Sequence, residues 1–274
     1  MLTLLFFVFL AILAVWIASN AVPGLLYLPV VCPLTRLESG GTVCKSLRHR
    51  EESVMKHIVR VLLKGFVTHD TKRFVVEKPK DFELLPGQAV MMAINKAKWE
   101  DNERPFTPTS LEKDRVLEFI IKQYPEHHGV TEKLHNLAPG DELLIKGIYG
   151  AITYKGPGVF IAGGTGITPF IAILRQLQRD GKLEGNMLIF SNKTHGDIIL
   201  ERELRHYLGE DCIFTLTRES RSGYENRRID EAFLKEKVKN FDQEFYICGP
   251  PEFVEAIAQI LQDAGARPNN ILFD

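Results

Sequence analysis

The chain has 274 residues, 45% hydrophobic and 25% charged, a balance that suits a folded protein long enough for two domains and excludes intrinsic disorder. Lys and Arg total 34 against 35 Asp and Glu, a formal net charge of -1, so no dominant basic surface exists to hold a polyphosphate and no nucleic-acid partner is expected. Cys32, Cys44, Cys212 and Cys248 stand far apart with no C-x-x-C pair, which leaves no local zinc or iron-sulfur site and no disulfide framework.

Leu2 to Ala18 is apolar except for Thr3, and the first charged residue is Arg36. As a helix such a run nearly crosses a bilayer. Lys45, Arg48 and Arg50 follow it, which by the positive-inside rule puts the rest of the chain in the cytoplasm, anchored to the inner face of the membrane. A cleaved signal peptide fits less well because the basic n-region is missing. The other reading of residues 1–54, an apolar segment and polar linker, is a mis-assigned start: Met55 opens the first convincing strand, and Glu51-Glu52-Ser53 reads like a translated purine-rich ribosome-binding site.

From Met55 to about residue 155 short apolar runs are split by turn residues. The runs are Met55 to Val67, Arg73 to Val76, Gln88 to Ile94, Val116 to Tyr124 and Glu142 to Ile148, with Pro86-Gly87 and Pro139-Gly140-Asp141 as breakers. This predicts a small antiparallel β-barrel over residues 55–155. Its first part carries Lys56, Arg60, Lys64, Lys72, Arg73, Lys78 and Lys80 against Asp70 and Glu77, which is either a solvated strand face or a docking surface for an acidic partner.

After a hinge near Lys155-Gly156-Pro157 the period changes. Val159 to Ala162 reads as a strand, and Phe170, Ile173, Leu174 and Leu177 then fall at i, i+3, i+4 and i+7 on one helix face. Strand and helix go on alternating through Met187–Phe190, Leu200–Leu208, Ile213–Leu216, Phe233–Val238, Phe245–Cys248, Phe253–Leu261 and Ile271–Phe273. Alternation of this kind predicts an α/β doubly wound parallel sheet over residues 156–274.

Three short motifs carry chemistry. Gly163-Gly164-Thr165-Gly166-Ile167-Thr168-Pro169 joins the first parallel strand to a helix, as a loop whose amides approach a phosphate or as a tight turn with glycines for packing. Arg104-Pro105-Phe106-Thr107 reads by itself as a loop on the barrel rim. Cys248-Gly249-Pro250-Pro251 ends a buried strand, where a lone cysteine is most often a small core residue.

In this order and at these separations the motifs resemble those of the ferredoxin-NADP reductase superfamily, over Met55 to Asp274. The resemblance implies a barrel that binds FAD, preferred over FMN, and a parallel-sheet domain that binds NADPH or NADH. It also implies hydride transfer to the flavin and electron transfer onward to a separate acceptor: ferredoxin, flavodoxin, another haem or iron protein, or oxygen. A nucleotide-binding electron-transfer subunit of a larger complex is the alternative. No metal site is implied.

The resemblance assigns roles residue by residue. Arg104, with Pro105, pairs with a flavin phosphate in a fork that lysine does not copy. Phe106 covers the isoalloxazine without the hydroxyl of the family's tyrosine, and Thr107 sits near flavin N5. Ile121, Lys122 and Tyr124 belong to the strand along the ribityl chain, and Gly129-Val130-Thr131 is the pyrophosphate turn, with Thr131 capping its helix. His127 and His128 beside it are phosphate donors or exposed loop residues. Gly164, Thr165, Gly166, Thr168 and Pro169 lie under the NAD(P)H pyrophosphate. Thr217 and Arg218, with Arg221 and Arg227, read the adenosine ribose and suit the 2′-phosphate of NADPH. Cys248, Gly249 and Pro250 stand beside nicotinamide C4, the cysteine packing and positioning without attacking, and Phe273 approaches the other face of the flavin.

Overall fold

The computed structural model describes residues 56–80 and 82–273; the apolar run 2–18, and with it the anchor and mis-assigned-start readings, lies outside the described residues. Among the described residues no helix is long and apolar enough to cross a membrane.

The first lobe is a six-stranded antiparallel sheet of β1 (Lys56–Phe66), β2 (Thr71–Glu77), β3 (Gln88–Ile94), β4 (Arg104–Phe106), β5 (Val116–Lys122) and β6 (Glu142–Ala151), in the order β4-β3-β6-β1-β2-β5. Every second residue faces one core: Val59 and Val61 from β1, Phe74 and Val76 from β2, Leu117, Phe119 and Ile121 from β5. Each such side chain contributes about 1.5–3 kcal/mol when fully buried. Two residues past β4, Pro108 bridges Phe119 of β5, so the two edges meet and the sheet closes as a barrel. Helix α1 (Val130–Asn136) adds Val130 and Leu134 to the core.

The Arg104 motif is not the loop its sequence suggests. Arg104, Pro105 and Phe106 pair with Met92, Met91 and Val90 as an edge strand, the place where a proline without an N–H is tolerated. The basic run is a largely paired strand face. Arg60 pairs with Glu77 at 3.0 Å, Arg73 with Glu118 at 3.4 Å, and Lys78 reaches the Glu112 carbonyl. Lys64 and Lys72 both donate to the His135 carbonyl at the end of α1, where cations offset the helix dipole. Of the seven charges, only Lys56 and Lys80 lack a partner among the described residues, which suits the solvated strand face of the two readings.

The second lobe alternates β7 (Gly158–Gly163), α2 (Thr168–Asp180), β8 (Met187–Asn192), α3 (Glu201–Leu208), β9 (Cys212–Leu216), α4 (Glu231–Lys237), β10 (Glu244–Cys248), α5 (Pro251–Asp263) and β11 (Ile271–Phe273). All five strands are parallel, in the order β11-β10-β7-β8-β9. Phe160, Phe190 and Phe214 face one layer with α2 and α3, whereas Ile161, Ile189 and Ile247 face the other with α4 and α5. The strands are covered on both sides, which is why their sequences read as continuous apolar runs. From β7 the chain winds outward to β9 and then returns to place β10 on the other side of β7. The order reverses between these two strands, and a doubly wound sheet offers its ligand crevice at that point.

Candidate active site where the two lobes meet

At the switch point the carboxyl ends of β7 and β10 carry Gly163–Gly166 and Cys248–Pro250. The two turns are packed backbone to backbone, since a Cβ on Gly166 would overlap the Cys248 carbonyl. Phe253 seals the pair: its ring lies 2.8 Å from where a Gly249 Cβ would stand and 3.1 Å from that of Gly163. Gly164 has a left-handed φ of +56° with open space where a side chain would point, leaving its backbone accessible. The Thr168 hydroxyl donates to the Thr165 carbonyl at 3.1 Å, and buried Pro169 starts α2 without wasting an amide.

A cavity of about 290 Å³ opens over this turn, and its walls come from both lobes. Thr71, Lys122 and Tyr124 line it from the barrel; Gly164, Thr165, Asn192, Lys193, Thr217 and Pro250 line it from the parallel sheet. Asn192 is 5% exposed, yet both polar atoms of its side chain lack a partner. A buried amide left unpaired is costly, and in a cavity wall it suits a ligand with both donors and acceptors. Lys122 donates to Asp70 at 2.5 Å and reaches Asp197 of the other lobe at 3.5 Å. Burial would raise the Asp70 carboxyl, but the Lys122 ammonium and the Thr68 and Thr71 hydroxyls together outweigh it and hold Asp70 below the usual carboxylate range.

On the barrel, Arg104 is exposed and its Nη1 donates only to the neighbouring Glu103 carbonyl at 2.7 Å, so the guanidinium has no carboxylate partner among the described residues. Arg104 pairs with Met92 of β3, and α1 contacts the same strand. That turn differs from expectation: Gly129 is the N-cap and no side chain caps it, so Thr131 lies inside the helix as its second residue. The first amides are left without an internal acceptor. His135, 2% exposed, ties α1 to β5 through a 2.7 Å hydrogen bond between its Nε2 and the Ile121 carbonyl. Burial keeps this imidazole below its ordinary pKa, only partly offset by that bond.

Comparison with known proteins places these features. Residues 59–154 match the family described as Oxidoreductase FAD-binding domain, and residues 160–259 match Oxidoreductase NAD-binding domain. The chain belongs to the ferredoxin-NADP reductase superfamily. It is a flavin-dependent NAD(P)H oxidoreductase whose two lobes are the superfamily's FAD and NAD(P) domains. NADH-cytochrome b5 reductase 2 of Mus musculus is 29% identical over 255 residues, covering 78% of this chain and 92% of its own length. The ferredoxin--NAD(P)(+) reductase component of the naphthalene 1,2-dioxygenase system of Pseudomonas putida is 25% identical, covering 81% and 71%. The structure of the CS-b5R domains of human Ncb5or in its NAD+ form is 26% identical with a TM-score of 0.71, covering 82% of this chain and 71% of that one.

The residues present fit both groups of this reductase. The unpaired Arg104 guanidinium and the uncapped amides of α1 suit a flavin pyrophosphate. The Gly164 turn, the orphaned Asn192 amide and exposed Lys193, whose side chain has no partner among the described residues, suit a dinucleotide. The structure gathers Lys122, Tyr124, Gly164, Thr165, Thr217 and Pro250 around one cavity and sets Gly166, Cys248 and Gly249 against its floor. Phe106 packs on the barrel core. Arg218, next to Thr217, is exposed with a side chain free of partners among the described residues, whereas Arg227 is engaged by Glu225 at 3.2 Å and by Glu236. Arg221 is likewise within 3.7 Å of Glu219. His128 pairs with Glu132 at 3.4 Å and His127 stacks on Tyr124, both exposed. Phe273 pairs in register with Ile247, one residue before Cys248, and is 59% exposed.

Sequence reasoning missed Thr71, Asn192, Lys193, Asp197 and Phe253. The signal for three of them is the run Asn192-Lys193-Thr194 through Asp197 at the carboxyl end of β8, where Thr194 and Asp197 form a capping box.

Proposed function

We propose that the protein takes a hydride from NADPH and passes the electrons singly to a separate carrier protein of the ferredoxin, flavodoxin or haem class. The observation that carries this is the cavity at the switch point, walled by both lobes, in which a nicotinamide on one wall can meet a ring system on the other. Bound FAD supplies the redox chemistry, accepting two electrons as hydride and releasing them one at a time. Arg104 would hold its phosphates as a fork, the first-turn amides of Val130 and Thr131 would share that charge, and the Ile121–Tyr124 segment would support the ribityl chain. Phe106 and Thr107 would bound the ring. Gly164, Thr165 and Gly166 would offer amides to the nicotinamide dinucleotide. Cys248, fixed through its carbonyl by the absent Gly166 side chain, would pack against the nicotinamide. No acid-base pair is needed for hydride transfer, so orientation supplies the acceleration.

Preference for NADPH rests on Thr217 and Arg218. The nearest carboxylate in sequence, Glu219, is turned to the His195 amide at 2.8 Å and to Arg221 at 3.7 Å, which leaves the Arg218 guanidinium for a 2′-phosphate, beside a Thr217 hydroxyl that donates to the Asn192 carbonyl at 3.3 Å. A separate acceptor is required because the four cysteines form no cluster motif for a second redox centre on the chain. The relatives' printed names, a cytochrome b5 reductase and a ferredoxin reductase, support a one-electron iron protein.

The test is anaerobic reduction with NADPH or NADH, followed by oxidised ferredoxin, flavodoxin or cytochrome b5. A lower KM with NADPH and prompt reduction of one of the three carriers is the expected outcome. Preference for NADH, or electrons that reach only oxygen when it is admitted, would overturn the corresponding half of the reading.

A further inference from the structure

The cavity is only as narrow as the lobes are close, and a partly buried arginine ties them together away from the cavity itself. Arg175 lies two turns into α2, the helix that follows the Gly164 turn. Its Nη1 donates across the lobes to the Thr109 carbonyl at 2.9 Å and to Glu118 Oε1 at 2.7 Å. Its Nε and Nη2 grip both oxygens of Glu203, within its own lobe, at 2.6 and 3.0 Å. Four of five guanidinium donors are used, and the side chain is 18% exposed.

The partners are well placed to transmit position. Thr109 is two residues from Thr107, and its hydroxyl also donates to Glu118 at 2.7 Å. Glu118 is on β5, the strand that continues to the cavity residue Lys122 and whose Ile120 packs into the α2 core. Of the other cross-lobe ion pairs, Arg179 with Asp114 at 3.2 Å lies at a more exposed place on the same helix, and Lys122 with Asp197 lies in the cavity wall, where a bound ligand can perturb it. Arg175 does not line the cavity, so its contacts are not made to a ligand there.

We propose that Arg175 is a positioning residue: by fixing α2 on the Thr109 loop and β5, it sets the distance across which the nicotinamide meets the flavin. It touches neither ring. A lysine offers one charged point instead of a rigid fork and cannot serve Thr109, Glu118 and Glu203 together. A displacement of 1 Å between reacting atoms costs on the order of 100-fold in rate. The inference rests on the hydride-transfer activity of the holoenzyme.

The experiment compares the full-length flavoprotein with Arg175→Lys, Glu118→Gln and the double variant. Three quantities are read: the limiting anaerobic rate of flavin bleaching at saturating NADPH, the NADPH concentration at half-saturation, and hydrogen exchange of residues 104–119 without nucleotide. Each single variant is expected to keep its flavin, to saturate within about threefold of the parent's concentration and to bleach at least tenfold more slowly, magnitudes set by orientation loss. Exchange over 104–119 should rise in step, and the double variant should be no slower than the slower single one, because both changes cut one link. Single variants that bleach at the parental rate, or losses that multiply in the double, would overturn the proposal. Should Arg175→Lys fail to fold, Glu118→Gln, which keeps a hydrogen-bond acceptor of the same shape, decides alone. A parent protein that NADPH and NADH both fail to bleach contradicts the reductase activity itself, a separate outcome.

Discussion

At the scale of single residues, the site depends on a few positions where only one side chain works. Gly166 is the sharpest: a methyl group there meets the Cys248 carbonyl, so the two turns must part. Gly166→Ala should cost roughly 1–3 kcal/mol by overpacking and slow hydride transfer while flavin stays bound; thermal melting and stopped-flow absorbance check both halves. Arg104 pairs with no carboxylate, so Arg104→Ala should leave the melting point of the flavin-free protein nearly unchanged. The loss of a charge-assisted bond worth about 1.5–3 kcal/mol should instead appear as roughly 10- to 100-fold weaker flavin binding, read by flavin fluorescence. Thr217→Asp should turn the NADPH/NADH ratio of kcat/KM toward NADH by at least about tenfold, since a carboxylate repels a 2′-phosphate and accepts from a ribose hydroxyl. The residues legible in sequence at this scale were those in short motifs with special backbone needs. Asn192 was not, because its meaning lies in being buried without partners, a property that no sequence window shows.

At the scale of elements, periodicity carried most of the strands and helices. β3 and β11 coincide with their apolar runs, and α2 contains its predicted apolar face. Two features escaped. β4 is three residues with Pro105 at its centre, and pairing with β3 decides it against local propensity. Thr131 looks like a cap in sequence, but Gly129 is the N-cap and Thr131 stands two positions past it. Helix α1 also links stability to pH. His135 is buried with Nδ1 unpaired and its pKa is lowered by desolvation, so the folded state binds fewer protons than the unfolded chain, whose histidines titrate near 6.5. Stability from this group is therefore full above pH 6.5 and falls as pH drops through that value, until the folded-state pKa is passed. Urea midpoints from pH 7.5 to 5.5 should decline in the parent and decline less in His135→Gln, whose amide can still donate to the Ile121 carbonyl.

At the scale of the whole molecule, the two lobes and the parallel, doubly covered sheet of the second followed from the change of period near residue 157, whereas the order of the strands came only with the structure. How the lobes meet did not follow. Arg175 stands on α2 beside Leu174 and looks like a solvent-facing charge, while its partner Glu118 is 57 positions away on a strand of the other lobe. Pairs of that separation leave no periodic trace, and they hold the cavity walls together. The most direct measurement is the visible spectrum of the full-length protein, recorded without oxygen before and after NADPH and then NADH. The account predicts a flavin spectrum that bleaches on adding the nicotinamide, faster with NADPH. A protein that neither carries nor takes up FAD, or a bound flavin that neither nucleotide bleaches, would contradict it.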